Sequence, residues 1–152
     1  MSQNEVNKSE MTDEEIRQLV AESDTGGRRP QGLSAKIVMY VALAWSMFQL
    51  WIASPLPFSL GVFVLNDTQS RAIHLAFALF LGYMLFPPLK SSPRTRIPVQ
   101  DWILALLASF CAAYLYLFYA ELAARPGQPT TLDLVVAVGG IALLLEATRR
   151  VV

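Results

Sequence analysis

The run Asn66-Asp67-Thr68-Gln69-Ser70-Arg71-Ala72-Ile73-His74-Leu75-Ala76-Phe77-Ala78-Leu79-Phe80, apolar from there to Pro87-Pro88, decides how the chain is read. It opens on polar residues able to cap a helix, carries one arginine and the only histidine, and then becomes wholly apolar. Ala72 to Phe86 is fifteen residues. At about 1.5 Å per residue that falls short of a bilayer core roughly 30 Å thick. Starting the helix at Thr68, with Asp67 as N-cap, closes most of the gap and predicts a span over 68–86.

Working outward, the composition agrees with a lipid setting. Of 152 residues, 54% are hydrophobic and 16% charged, where soluble domains carry roughly 25% charge. The charges are unevenly placed. Residues 1–27 hold seven acids (Glu5, Glu10, Asp13, Glu14, Glu15, Glu22, Asp24) against Lys8 and Arg17, and the other 125 residues hold ten basic and five acidic. The zero net charge therefore joins an acidic tail (1–32) to a membrane part with basic edges (33–152). Within the tail, Thr12-Asp13-Glu14-Glu15 has the form of a capping box, and Ile16, Leu19 and Val20 make one stripe of a short amphipathic helix. The first 36 residues contain no apolar run of signal-peptide length, so the first hydrophobic segment is expected to stay in the membrane.

Ile37 to Asn66 carries no charge, and Pro55 and Pro57 divide it into a span over 37–53 and an apolar connector over 54–66. The connector is expected in the interface or over helix ends, a re-entrant loop being the alternative. After the second span, Pro87 to Pro98 is rich in proline and basic residues and cannot cross. Asp101 is then read as the cap of a third span over 102–120, with Tyr114, Tyr116 and Tyr119 crowding its far end as an aromatic belt does. Thr130 and Asp133 give a second cap signal before a fourth span over 132–148. Arg28, Arg29, Lys36, Lys90, Arg94, Arg96, Arg149 and Arg150 fall on one side of this alternation, and Arg71 and Arg125 on the other. The expectation is an all-α membrane protein with four transmembrane helices and both termini cytoplasmic. The chain stops just after the basic cluster, at Val152, and reads as interrupted.

Ionisable or small residues inside spans are the candidates for function. His74 is read as bonding across to another helix, with partner binding or a polar crevice as the sharper alternative. Arg71 lies one turn before it. Glu146 is read as pairing locally with Arg149 and Arg150, and Gly139-Gly140 as permitting close approach of a neighbouring helix. These six, His74, Arg71, Gly139, Gly140, Glu146 and Arg149, are the expected helix-packing or partner-contact residues. Catalytic signals are missing. One histidine and one cysteine cannot assemble a His/Cys metal cluster, Cys111 reads as a small core residue, and no nucleophile elbow or phosphate loop is present. Aromatic residues do not interleave with basic ones as on a nucleic-acid surface. The reading is a non-enzyme, a scaffold or accessory protein of the membrane.

Several stretches resemble the amino-terminal part of the fused permease subunit of TRAP (tripartite ATP-independent periplasmic) transporters of the TAXI-associated kind. They are Glu22-Ser23-Asp24-Thr25-Gly26-Gly27-Arg28, Ala53-Ser54-Pro55-Leu56-Pro57-Phe58, Asn66 to Ala78, and Ile97-Pro98 with Asp101-Trp102. Gly127, Pro129-Thr130-Thr131 with Asp133, and Leu145-Glu146-Ala147-Thr148-Arg149-Arg150 complete them in order over residues 22–152. The resemblance implies a bacterial or archaeal cytoplasmic membrane and a scaffold role beside a large transport portion that this chain lacks. Sodium coupling would belong to that portion, and no cofactor is expected here. The implied partners are the large portion, a periplasmic TAXI-type solute-binding protein and the bilayer, and the implied cargo is organic acids or similar small solutes. The alternatives are a stand-alone small subunit of a tricarboxylate-type tripartite carrier, and a membrane assembly protein outside transport.

Overall fold

The computed structural model describes residues 27–88 and 96–152. The amphipathic helix expected in the acidic tail, and Lys90 and Arg94 of the basic loop, lie outside the described residues. Within them the chain forms six helices: α1 (Leu33–Ala53), α2 (Leu56–Leu60), α3 (Asp67–Leu85), α4 (Val99–Leu117), α5 (Tyr119–Ala124) and α6 (Thr131–Val151).

Each boundary has a local cause. Gly32, at φ 66°, turns the chain into α1 one turn before the expected start, so Lys36 lies inside the helix. The Ser54 N–H closes α1 on the carbonyls of Leu50 and Trp51, and Pro55 cannot prolong it. The connector after it holds the short α2, ended by Gly61 in the left-handed region. For α3 the cap is Asn66 and not Asp67. Asn66 Oδ1 accepts from the Gln69 N–H at 2.8 Å while Gln69 Oε1 accepts from the Asn66 N–H at 3.2 Å. Capping from Asp67 would put Ser70 at the third position, whose side chain is too short to reach back.

Asp101 likewise does not cap α4. Pro98 does, in extended conformation, and Asp101 sits in the first turn with its side chain turned inward. The helix ends at Leu117, three residues before the expected limit, because Phe118 (φ −109°, ψ 22°) leaves helical geometry before α5 restarts. Thr130 and Asp133 form a reciprocal capping box at α6, which then runs to Val151.

The four long helices alternate in direction. Arg28, before α1, donates its backbone N–H to Leu85 at the end of α3, and Asp101 near the start of α4 meets Arg150 near the end of α6. Halfway along, Ser109 of α4 donates to the Ala76 carbonyl of α3 at 3.1 Å. Helices α3 and α4 pack most closely, because α4 turns Ala105, Ala108 and Ala112 toward Leu79, Tyr83 and Met84 of α3. Small residues at spacings of three and four let two backbones approach. Helix α6 covers this pair, and α1 rests on α3 with none of its own residues buried.

Three helices, α1, α4 and α6, are long and apolar enough to cross a membrane. They expose large apolar side chains such as Leu43, Leu50, Leu106, Val138, Ile141 and Leu145 to the outside, far beyond the scattered apolar groups of a water-soluble monomer. The molecule thus has the character of a membrane protein. Helix α3 carries Asp67, Gln69, Arg71 and His74 in its first half, yet it buries Ala72, Leu79, Leu81, Tyr83 and Met84, as many residues as α4 buries.

Candidate functional site

Polar groups in this bundle gather at its two ends and at one point on its flank. The largest group lies where Arg28, α4 and α6 converge. Asp101, 1% exposed, receives Arg28 Nη2 at 2.6 Å on one oxygen and Arg150 Nη1 at 2.8 Å on the other. Arg150 also reaches Glu146 Oε1 at 2.9 Å and stands over the Tyr83 ring, 4.6 Å from its centroid. Tyr83 Oη in turn donates to the Leu143 carbonyl at 2.7 Å. Glu146 closes the set on Arg149, whose Nη2 extends to the Pro88 carbonyl at 3.3 Å.

The two arginines on Asp101 are not held alike. Arg150 makes directed hydrogen bonds to both acids. Arg28 makes a contact of charge alone, because Nε, Nη1 and Nη2 are buried with no hydrogen-bond acceptor in good geometry. A buried guanidinium in that condition depends on the opposite charge beside it. Asp101 thus fastens the segment before α1, the start of α4 and the end of α6 to one another.

At the opposite end Asp133 plays a smaller version of the same part. Tyr114 Oη donates to Asp133 Oδ1 at 2.6 Å, Arg125 Nη2 lies 3.1 Å from Oδ2, and the Thr130 N–H donates to Oδ2 at 2.8 Å. The first-turn position suits a carboxylate, since the helix N-terminus favours negative charge. Beside this pair opens an apolar cavity of about 390 Å³, lined among others by Leu75, Leu79, Cys111, Val136 and Ile141.

The residues singled out from the sequence fall in different places. Glu146 and Arg149 join the Asp101 network, in contact with each other at 2.7 Å. Gly140 faces α4, where a Cβ would stand 3.3 Å from Cys111 Cβ, whereas Gly139 faces open space. Arg71 pairs with Asp67 one turn back, at 3.0 Å and largely exposed, instead of lying against His74. His74 is bonded from α1: Trp45 Nε1 donates to His74 Nδ1 at 3.2 Å, with the rings edge to face at 5.0 Å.

Sequence reasoning missed Asp101 as a junction, Arg28 and Arg150 as its partners, Tyr83 beneath them, and the Tyr114–Asp133 bond. One signal was available. In an apolar chain a carboxylate at the end where the arginines collect needs a partner there, and Asp101 lies at the end that also holds Arg28 and Arg150. Chemically the network pairs three arginines with two carboxylates, and no group of three His, Cys, Asp or Glu side chains among the described residues could hold a metal ion. Its capacity is to hold helices. Compared with protein-family models, curated proteins and solved structures, the chain matches none.

Proposed function

We propose that the chain is the four-span scaffold portion of a TRAP-type secondary transporter for organic acids or similar small solutes, set in the cytoplasmic membrane of a bacterium or archaeon with both ends cytoplasmic. The observation that carries the reading is the Asp101 junction: both oxygens of one buried carboxylate bind arginines from opposite ends of the chain. A moving transport element needs helices that change partners. A brace needs helices that do not, and a charge network that costs several kcal/mol to break keeps them in place. The ordered sequence motifs support the family reading, and the excess of basic residues on the side of Arg28 and Arg150 supports the orientation. Helix α3, about 28 Å long at 1.5 Å per residue, is the fourth crossing.

The test is assembly. Co-expressed with the separately encoded large permease portion and extracted into lipid nanodiscs, the chain should co-purify with it in a fixed ratio. It should also restore solute uptake that the large portion cannot support alone. If the two do not associate in nanodiscs, or the large portion transports equally well without this chain, the scaffold reading fails.

A further inference from the structure

One polar cluster is left facing outward from the apolar flank. His74 lies eight residues past the Asn66 cap, about 12 Å along the helix and inside the hydrocarbon if α3 crosses. An indole N–H can only donate, so His74 Nδ1, 3.2 Å from Trp45 Nε1, is the acceptor and the ring proton sits on Nε2. The same constraint orients Gln49. Its amide nitrogen is the atom 3.4 Å from Nδ1, which leaves Oε1 turned away. His74 and Gln49 are both exposed, and among the described residues nothing takes the Nε2 proton or donates to Oε1. The two serines nearby satisfy themselves: Ser46 donates to the Ala42 carbonyl and Ser109 to the Ala76 carbonyl. Lipid tails offer neither donor nor acceptor.

We infer that a second copy of this chain docks on this face, the two related by a twofold axis along the membrane normal. His74 Nε2 of each copy then donates to Gln49 Oε1 of the partner subunit. The face is self-complementary in chemistry, with one free donor and one free acceptor at the same depth, which a twofold axis along the normal pairs reciprocally. The side of α1 that carries Gln49 is otherwise lined by the small residues Ala42, Ser46 and Ala53, and small side chains let like helices approach. The flank of α1 is free for this, because α1 touches α3 with none of its residues buried.

The inference rests on the membrane setting proposed above and not on the transporter reading, and its test contains no other protein. The full chain, with Cys111→Ala as background, is reconstituted in phosphatidylethanolamine–phosphatidylglycerol liposomes over a range of protein-to-lipid ratios. Ser46→Cys should cross-link to dimer under mild oxidation, and Met47→Cys, on the other side of α1, should not. By energy transfer between labelled copies, Gln49→Leu and His74→Phe should each weaken dimerisation roughly tenfold, since each removes both symmetry-related bonds. The phenylalanine keeps a ring against Trp45. A chain that stays monomeric at every ratio overturns the inference. So does cross-linking equal at both positions, or a dimer indifferent to Gln49→Leu.

Discussion

Asp101 illustrates how one side chain can matter more than its position in sequence suggests. A carboxylate in the first turn of a helix, beside a tryptophan, is usually accounted for by the helix dipole alone. Here it does not serve the backbone: Pro98 occupies the cap position with no side-chain capping bond, and Asp101 turns both oxygens to arginines. Replacing Asp101 by alanine leaves Arg28 buried with no counter-charge and Arg150 with Glu146 alone. The expected loss is about 3–5 kcal/mol, read as a lowered unfolding midpoint in detergent or nanodiscs. Arg71→Ala, which breaks only the exposed pair with Asp67, should leave that midpoint unchanged. Equal effects of the two substitutions would remove the Asp101 junction from its place in the argument.

Among the elements, the helices themselves were legible from charge-free stretches ended by proline and glycine, and their limits moved by at most four residues for local reasons. The end of α1 at Ala53 follows from Pro55 and Pro57. The end of α4 does not follow from any sequence signal, since Phe118-Tyr119-Ala120 is as apolar as what precedes it, and only the backbone turn at Phe118 shows the break. Which face each helix buries was less legible still. In a membrane bundle both the core and the lipid side are apolar, so hydrophobic periodicity does not separate them. That is why α4's alanine stripe, Tyr83 under Arg150 and the Trp45–His74 bond emerge only in three dimensions. The adjacent glycines of α6 show the same limit, because the sequence cannot say which of the two meets a neighbour. Gly139→Ala enters open space and should gain up to about 1 kcal/mol of helix propensity. Gly140→Leu must push against Cys111 and should cost about 1–3 kcal/mol through overpacking. Thermal unfolding of the two variants separates them, and a destabilised Gly139→Ala beside a tolerated Gly140→Leu would contradict the packing of α6 on α4.

For the molecule as a whole, the deciding quantity is the number of crossings, and α3 decides it. By composition α3 is the least apolar of the long helices, but its polar residues crowd the first two turns, and everything from Leu75 to Leu85 is apolar apart from the tyrosine hydroxyl. Arg71 can lay its stem along the helix with its charge at the boundary, where Asp67 meets it. Helix α3 also runs antiparallel to α4 and is joined to it halfway by the Ser109–Ala76 bond. The proposed four-span arrangement requires that a membrane containing α4 along its length contain α3 to the same depth. With α3 crossing, the count is even and the two chain ends share a side. Without it, the count is three and they do not. The Asp101 junction favours the even count, since it ties Arg28 ahead of α1 to Arg150 at the end of α6. Topology reporters fused before Met1 and after Val152 should then both report the cytoplasm, and a reporter inserted at Gln128, between α5 and α6, should report the opposite side. Ends on opposite sides would mean that α3 lies along the surface, and would remove the four-span brace together with the depth assigned to His74.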